Sequence, residues 1–343
     1  MKSAIRTCVL SLSASLLLVT STTAMQNPRS TAQIPKLSAD QLEFLSHVSM
    51  VDLPDGLGGF VRTARISGLN VQIVNGSGTT PGAPDGLGNL IIGYNEPRPS
   101  GNARTGSHNL VLGSRNNYRM YGGLIAGVSN EISGVYSTVS GGISNVASGS
   151  YSAISGGRIN SASNFSATVG GGQRNLASGI GASVSGGCNN TAYGQCSSVS
   201  GGRYNTAAGS YSSISAGNNG NANGTYASIS GGGGNLASGN FSSVSGGYNN
   251  TASGIRSSVS GGDSNSASGA VSSVSGGTNN QANGILGASV SGGRFNSASG
   301  CFATIGGGRS NVASGEYASV SGGANRSAGG YTNWAAGSLF END

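Results

Sequence analysis

A branched apolar residue returns at every fifteenth position along most of the chain. It stands at Val139, Ile154, Val169, Val184, Val199, Ile214, Ile229, Val244, Val259, Val274, Val290, Ile305 and Val320. The interval holds except from Val274 to Val290, where one residue is inserted near Ile285-Leu286-Gly287, and Trp334 ends the series after a step of 14. The unit reads Asn-x-Ala-Ser-Gly-x-Tyr/Phe-Ser-Ser-Val/Ile-Ser-Gly-Gly-x-x, numbered here from its Asn. Position 3 is Ala from Ala147 to Ala313, and position 13 is Gly from Gly142 to Gly323. Position 5 is Gly except at Asn164, and Asn is the other residue that tolerates a left-handed backbone. The pattern therefore predicts tight corners at positions 4–5 and 12–13, with a short straight segment between each pair. Ser-Ser-Val-Ser suits a strand, whereas paired glycines this frequent exclude a helix.

Two strands and two glycine corners per unit predict one coil of an all-β, single-stranded parallel β-solenoid. Strand alternation points positions 8 and 10 inward (Ser/Ala and Val/Ile), together with positions 1 and 3 of the other strand (Asn and Ala). A buried Asn column must be hydrogen-bonded, and stacking of amides between coils would satisfy it. No coil is stable alone; its neighbours supply core and hydrogen bonds. Asn89-Leu90-Ile91-Ile92-Gly93, Asn109-Leu110-Val111-Leu112-Gly113 and Gly123-Leu124-Ile125-Ala126-Gly127 read as early coils with larger core residues. Counting them gives about 17 coils, a rod about 80 Å long at roughly 4.8 Å per coil.

Upstream, the pattern changes. Residues 25–88 are expected to form a leader and a small cap over the first coil, since an open terminal coil exposes strand edges and core. Gln26 to Pro35 reads as the leader. Ser38 begins a short helix with Gln41 as its capping-box partner. Met50–Leu53, Phe60–Ser67 and Leu69–Val74 read as strands, and Ser77–Gly86 as a loop. The repeat domain is placed at 89–337 and a short tail at 338–343.

Composition removes other architectures. Glycine supplies 63 of the 343 residues, about 18% against roughly 7% in an average protein. Only 8% of residues are charged, which disfavours ordinary charge-driven disorder, and seven prolines are too few for collagen. Residues 1–24 read as a secretory signal: Lys2 and Arg6 form a basic start, Cys8 to Val19 is mainly apolar, and Thr22-Thr23-Ala24 offers small residues for cleavage. Removing Lys2 and Arg6 takes the formal charge from +6 to +4 (6 − 2), too weak to argue for a nucleic-acid partner. Cys188, Cys196 and Cys301 stay in the mature chain, an odd number with no CxxC pair, so no zinc site is expected. The only histidines, His47 and His108, lie before the main repeat. Asp263 and Glu316 are scattered, and nothing resembles a Ser/His/Asp set, a phosphate loop or the recurring Asp of calcium-binding rolls. The chain is therefore expected not to be an enzyme, with no catalytic, cofactor-binding or metal site.

Stretches such as Ala147-Ser148-Gly149-Ser150-Tyr151-Ser152-Ala153-Ile154-Ser155-Gly156-Gly157, Asn175-Leu176-Ala177-Ser178-Gly179 and Ala303-Thr304-Ile305-Gly306-Gly307-Gly308 resemble the YadA-like head of trimeric autotransporter adhesins. The resemblance runs from about Gly88 to Gly337. It implies a left-handed parallel β-roll, a homotrimer, and bacterial surface adhesion to host-matrix, glycan or cell-surface ligands. The usual coil of that family is one residue shorter. The sequence closes on Leu339-Phe340-Glu341-Asn342-Asp343 without a membrane barrel, so no self-supplied membrane anchor is expected.

The candidate surfaces are the outward columns. Position 9 is Ser or Thr except Ala153, and position 11 is Ser except Gly170 and Gly306. These form two hydroxyl ranks about 7 Å apart that would suit an ice- or crystal-surface binder. Position 7 carries Tyr136, Tyr151, Tyr211, Tyr226, Phe241, Phe302 and Tyr317. Such a stripe would suit a subunit interface, a ligand surface, or rings covering their own glycine corners. Position 2 adds Val146, Leu176, Leu236 and Val312, and position 14 carries Arg158, Arg203, Arg294 and Arg309 beside Asp263. Cys188 and Cys196 are expected to flank one corner, with Cys301 seven coils away and out of reach.

Overall fold

The computed structural model describes residues 36–337. The signal expected over Met1–Ala24, the leader from Gln26 to Pro35 and the tail after Gly337 lie outside the described residues. The chain divides into two compact units, one ending at Gln72 and the other beginning at Ile73.

The first unit holds helix α1 (Ala39–Ser46) and strands β1 (Val48–Pro54) and β2 (Phe60–Ile66). Ser38 caps α1 as the sequence predicts. Its Oγ accepts from Gln41 N at 3.2 Å, and Gln41 Oε1 accepts from Ser38 N at 2.9 Å. The two strands pair antiparallel from Val48↔Ile66 to Pro54↔Phe60. Asp55 closes the connection, its Oδ1 accepting from Leu57 N and Gly59 N at 2.8 Å each. The strand expected at Leu69–Val74 does not form. Gly68 sits at φ +80°, which breaks the extended run just past Ile66.

The second unit is a β-solenoid. Each strand pairs in parallel with its equivalent one coil away, as in Ser198↔Ser213 and Val199↔Ile214. Among the described residues, the Val/Ile strands make one ladder of 17 and the Asn/Ala strands a second of 15, so coils complete in both number about 15. The first ladder is open. Among the described residues, Leu90–Ile92 pairs only with Leu110–Leu112, and Trp334–Ala335 only with Ser319–Val320. A third line of contact runs through position 14, where single parallel bridges join Arg158, Gln173, Cys188 and Arg203 in succession.

The core follows the predicted columns. Val199, Ile214, Val244 and their equivalents from Val111 to Val320 are at most 2% exposed, and Ala207, Ala222 and Ala237 are fully buried. Each Val or Ile contributes on the order of 1.5–3 kcal/mol. The Asn column is satisfied by the backbone rather than by its own amides. Asn250 Nδ2 donates to Gly246 O and Gly262 O at 2.9 Å each, and its Oδ1 accepts from Asn265 N at 3.0 Å. This triad recurs through most of the stack. It breaks at Gly220, which takes Asn205 Oδ1 through its own N–H at 2.9 Å but carries no amide to pass on.

Two sequence expectations need correction at the corners. Position 5 is not left-handed. Its glycine is required by proximity, because a Cβ on Gly209 would overlap the carbonyl of Gly224 in the next coil. Asn164 fills this place half-buried and without a positive φ, its Nδ2 donating to Ser178 O at 2.9 Å. The left-handed residues are instead at positions 7, 13 and 15, such as Tyr211 (φ 59°), Gly217 (φ 109°) and Asn219 (φ 58°). At positions 7 and 15 this turns the N–H around. Strand residues donate to the following coil, as Ser200 N does to Ile214 O at 2.9 Å. Tyr211 N and Asn219 N donate to the preceding coil, to Gln195 O at 2.7 Å and Arg203 O at 2.9 Å. The roughly 1–2 kcal/mol cost of a left-handed L-residue is thereby set against a made hydrogen bond.

Length changes are absorbed outside the ladders. The extra residue after Val274 is Ile285, which is 86% exposed while Leu286 bridges Ala270. The long connection from Ile92 to Leu110 is fastened by Arg98. Its Nη2 donates to Ser129 O and Asn130 O at 2.7 Å each, and its Nη1 lies 3.3 Å from Glu131 Oε2. At the far end, Trp334 aligns with Ser319 rather than Val320. The 14-residue step is therefore a misassignment: Ala335 takes the core position, and Trp334 faces outward with Nε1 on Ser321 Oγ at 2.8 Å.

Candidate functional site

The sequence nominates surfaces rather than a cleft, and the coil geometry fixes what each presents. Position 11 serines are exposed, whereas position 9 is half-buried in most coils. In-register pairing stacks Ser on Ser from Ser183 through Ser289 in position 9. Thr304 Oγ1 donates to Ser319 Oγ at 3.1 Å across one such step.

The aromatic column lies on an exposed corner, where left-handed position 7 and its neighbour at position 6 project together. Tyr211, Tyr226 and Phe241 stack nearly parallel, with centroids 4.9 and 5.1 Å apart and planes 7° apart. Arg256 closes this stack with its guanidinium 5.9 Å from the Phe241 centroid. Phe302 and Tyr317 stack at 5.3 Å, and Tyr136 and Tyr151 at 5.5 Å. In several coils whose position 7 is not aromatic, position 6 supplies apolar bulk: Phe165, Ile180 and Ile255 are all about half-exposed (51%, 51% and 57%), whereas Gln195 and Cys196 leave a gap. The rings thus cover one another from coil to coil, and do not merely shield their own glycine corners. The repeat pattern reveals the column at position 7 but not the one at position 6, which has no consensus. The available signal for that second column is the apolar bulk of Phe165, Ile180 and Ile255 in coils that lack the ring.

The arginine column sits on the other corner. Arg203 and Arg294 lie 4.7 Å from the rings of Tyr204 and Phe295. The Tyr204 hydroxyl, 3.2 Å from Arg203 Nη2, holds that guanidinium above its ordinary pKa. In the column at position 2, Val146, Leu176 and Leu236 are half-buried, and Val312 is exposed. Cys188 and Cys196 do not flank one corner. Cys188 bridges at position 14, Cys196 occupies left-handed position 7, and both they and Cys301 are free thiols.

Before the main repeat, Asp85 accepts from Ser107 Oγ at 2.7 Å and Leu87 N at 3.0 Å, which holds its carboxyl below the usual range, the Leu87 N–H contributing most. His108 Nε2 accepts from Asn75 N at 3.3 Å. These bonds tie 73–88 to the first coils. Among the described residues, no group of three or more His, Cys, Asp or Glu is placed to hold a metal ion. No described helix is long and apolar enough to cross a membrane. Compared with protein-family models and with curated proteins, the chain matches none.

Proposed function

We propose that the protein is an exported, adhesin-like structural rod of a bacterial surface, similar in plan to the YadA-like heads its repeats resemble. The observation that supports this reading is the in-register repetition of outward columns on a stack of about 15 coils. Any group that one coil binds weakly meets the same chemistry one coil further on, so affinity comes from many contacts rather than one cleft. The reading assigns the protein no catalytic role. Purified full-length protein tests it against host cells, extracellular matrix and other bacteria. Saturable binding is expected, and binding to none of them overturns adhesion and leaves a scaffold.

A second reading rests on the serine columns at positions 9 and 11, whose register persists over many coils. Such ranks would order water or a crystal face. Ice crystals grown in concentrated protein would then be faceted and show thermal hysteresis; unshaped crystals remove this reading.

A further inference from the structure

The corner formed by positions 6 and 7 carries more apolar surface than a solitary rod needs. From Tyr136 to Tyr331 nearly every coil contributes a half-exposed ring or branched chain. About a dozen side chains, each offering roughly 80–100 Å², give on the order of 1,000 Å² per copy, against about 800 Å² per partner in a standard interface. Isolated proteins rarely leave so large a continuous apolar patch in water.

We infer that this strip binds the same strip of a second copy of the protein. The inference rests on the adhesive reading above for its setting, and it names the partner as the rod itself. Three observations select that partner. The first is charge. Positions 14 and 15, on the other corner, carry Arg158, Arg174, Arg203, Arg294 and Arg309 against the lone Asp263. Joining two copies there would oppose like charges. The aromatic strip carries only Arg256 and Glu316, of opposite sign, and the flanking columns at positions 4 and 9 carry none between Asn130 and Gly337.

The second is ring orientation. In the Tyr211–Tyr226–Phe241 stack, Tyr226 has both faces taken by rings and Phe241 lies between Tyr226 and the Arg256 guanidinium, so those two rings leave mainly their edges for solvent. A sugar ring stacks on an open aromatic face, and Tyr226 and Phe241 offer none. The third is pitch. Within each stack the rings repeat once per coil at 4.9 to 5.5 Å, and an identical strip reproduces that spacing and its breaks in the same places.

The test is sedimentation equilibrium on the full-length chain, wild type beside Tyr211→Ser/Tyr226→Ser/Phe241→Ser. Ser166 and Gly181 already occupy the same left-handed position, so the triple variant keeps its coils, which circular dichroism verifies. Tyr136→Ser/Tyr151→Ser provides a second break, and Arg158→Ser/Arg309→Ser a control on the opposite corner. Wild type is expected to associate reversibly, the ring variants to dissociate at least about tenfold more readily, and the arginine control to match wild type. A monomeric wild type at about 100 μM, or ring variants that associate as tightly, overturns the inference. Association that persists without the rings, including a trimer, also overturns it. Protein-coated beads separate the two readings. Beads that clump with each other but ignore bare cells support self-binding and count against a foreign receptor; beads that bind bare cells without clumping do the reverse.

Discussion

The β1–β2 hairpin and the coil stack both rest on paired strands, and they differ in what the pairing covers. The hairpin strands are seven residues each, yet none of their residues is buried. The solenoid strands are mostly two residues long, and one residue of each is typically buried. A two-stranded hairpin alone is marginal in water. The coils show that strand length matters less than the repetition of a small buried set, Val or Ile with Ala and Asn, once per turn. The hairpin depends on one Asp55 turn, whereas every interior coil is supported from both sides.

The largest expected effect would break the stack at a close approach. Gly209→Ala places a methyl group against the Gly224 carbonyl and should cost about 3–4 kcal/mol in urea unfolding. Gly201→Ala, in the other glycine column, meets nothing within 4 Å and should be neutral or slightly stabilising. Equal losses at the two sites would refute the division of glycines into close-approach and free positions. Next comes Asn250→Ala, which strands Gly246 O and Asn265 N, removes one of the two bonds to Gly262 O, and should cost about 2–3 kcal/mol. The converse, Gly220→Asn, supplies the missing amide and should raise stability by about 1 kcal/mol.

A smaller effect is expected at position 8. The hydroxyls of Ser212 and Ser257 are buried without a hydrogen-bond partner, while Ala182 and Ala227 fill the same column. Ser212→Ala/Ser257→Ala should be neutral or stabilise by up to about 1 kcal/mol, and a marked loss would show that the hydroxyls are used. The smallest belongs to the hairpin. The Leu57 and Gly59 N–H groups hold the Asp55 carboxyl below its ordinary value of 3.8. A depressed carboxyl stabilises fully above that ordinary value, and its contribution fades as pH falls through the lower folded one. The amide resonances of Leu57 and Gly59 should move in acid while that of Ser200 stays fixed. Coil amides that move with them would remove the distinction.

The repeat columns make most of the stack readable from sequence. Val199 and Ala207 announce their burial by recurring without exception, and Ser38 with Gln41 announces the start of α1. The corners are less legible, for a physical reason. A glycine has two uses, freedom of φ and lack of a Cβ, and the sequence does not separate them; Gly209 serves the second. Tyr211 and Arg256 at left-handed φ give no sign of it, because inter-coil hydrogen bonds impose that conformation on residues that do not favour it. The asparagines at position 15, such as Asn219 and Asn249, are the available hint. Trp334 misleads because a large apolar side chain suggests the core, when Ala335 is what fits a coil with one neighbour.

The gap in the asparagine column also has a mechanical meaning. A rod anchored at one end and gripped at the other carries tension along its axis, and tension seeks the joint with the fewest cross-ties. At Gly220 the side-chain ties to Gly232 O and to the Asn235 N–H of the next coil are missing, although both ladders continue through that coil. Under load the stack has a preset point of yielding a little past its middle, where coils would part before those beside them.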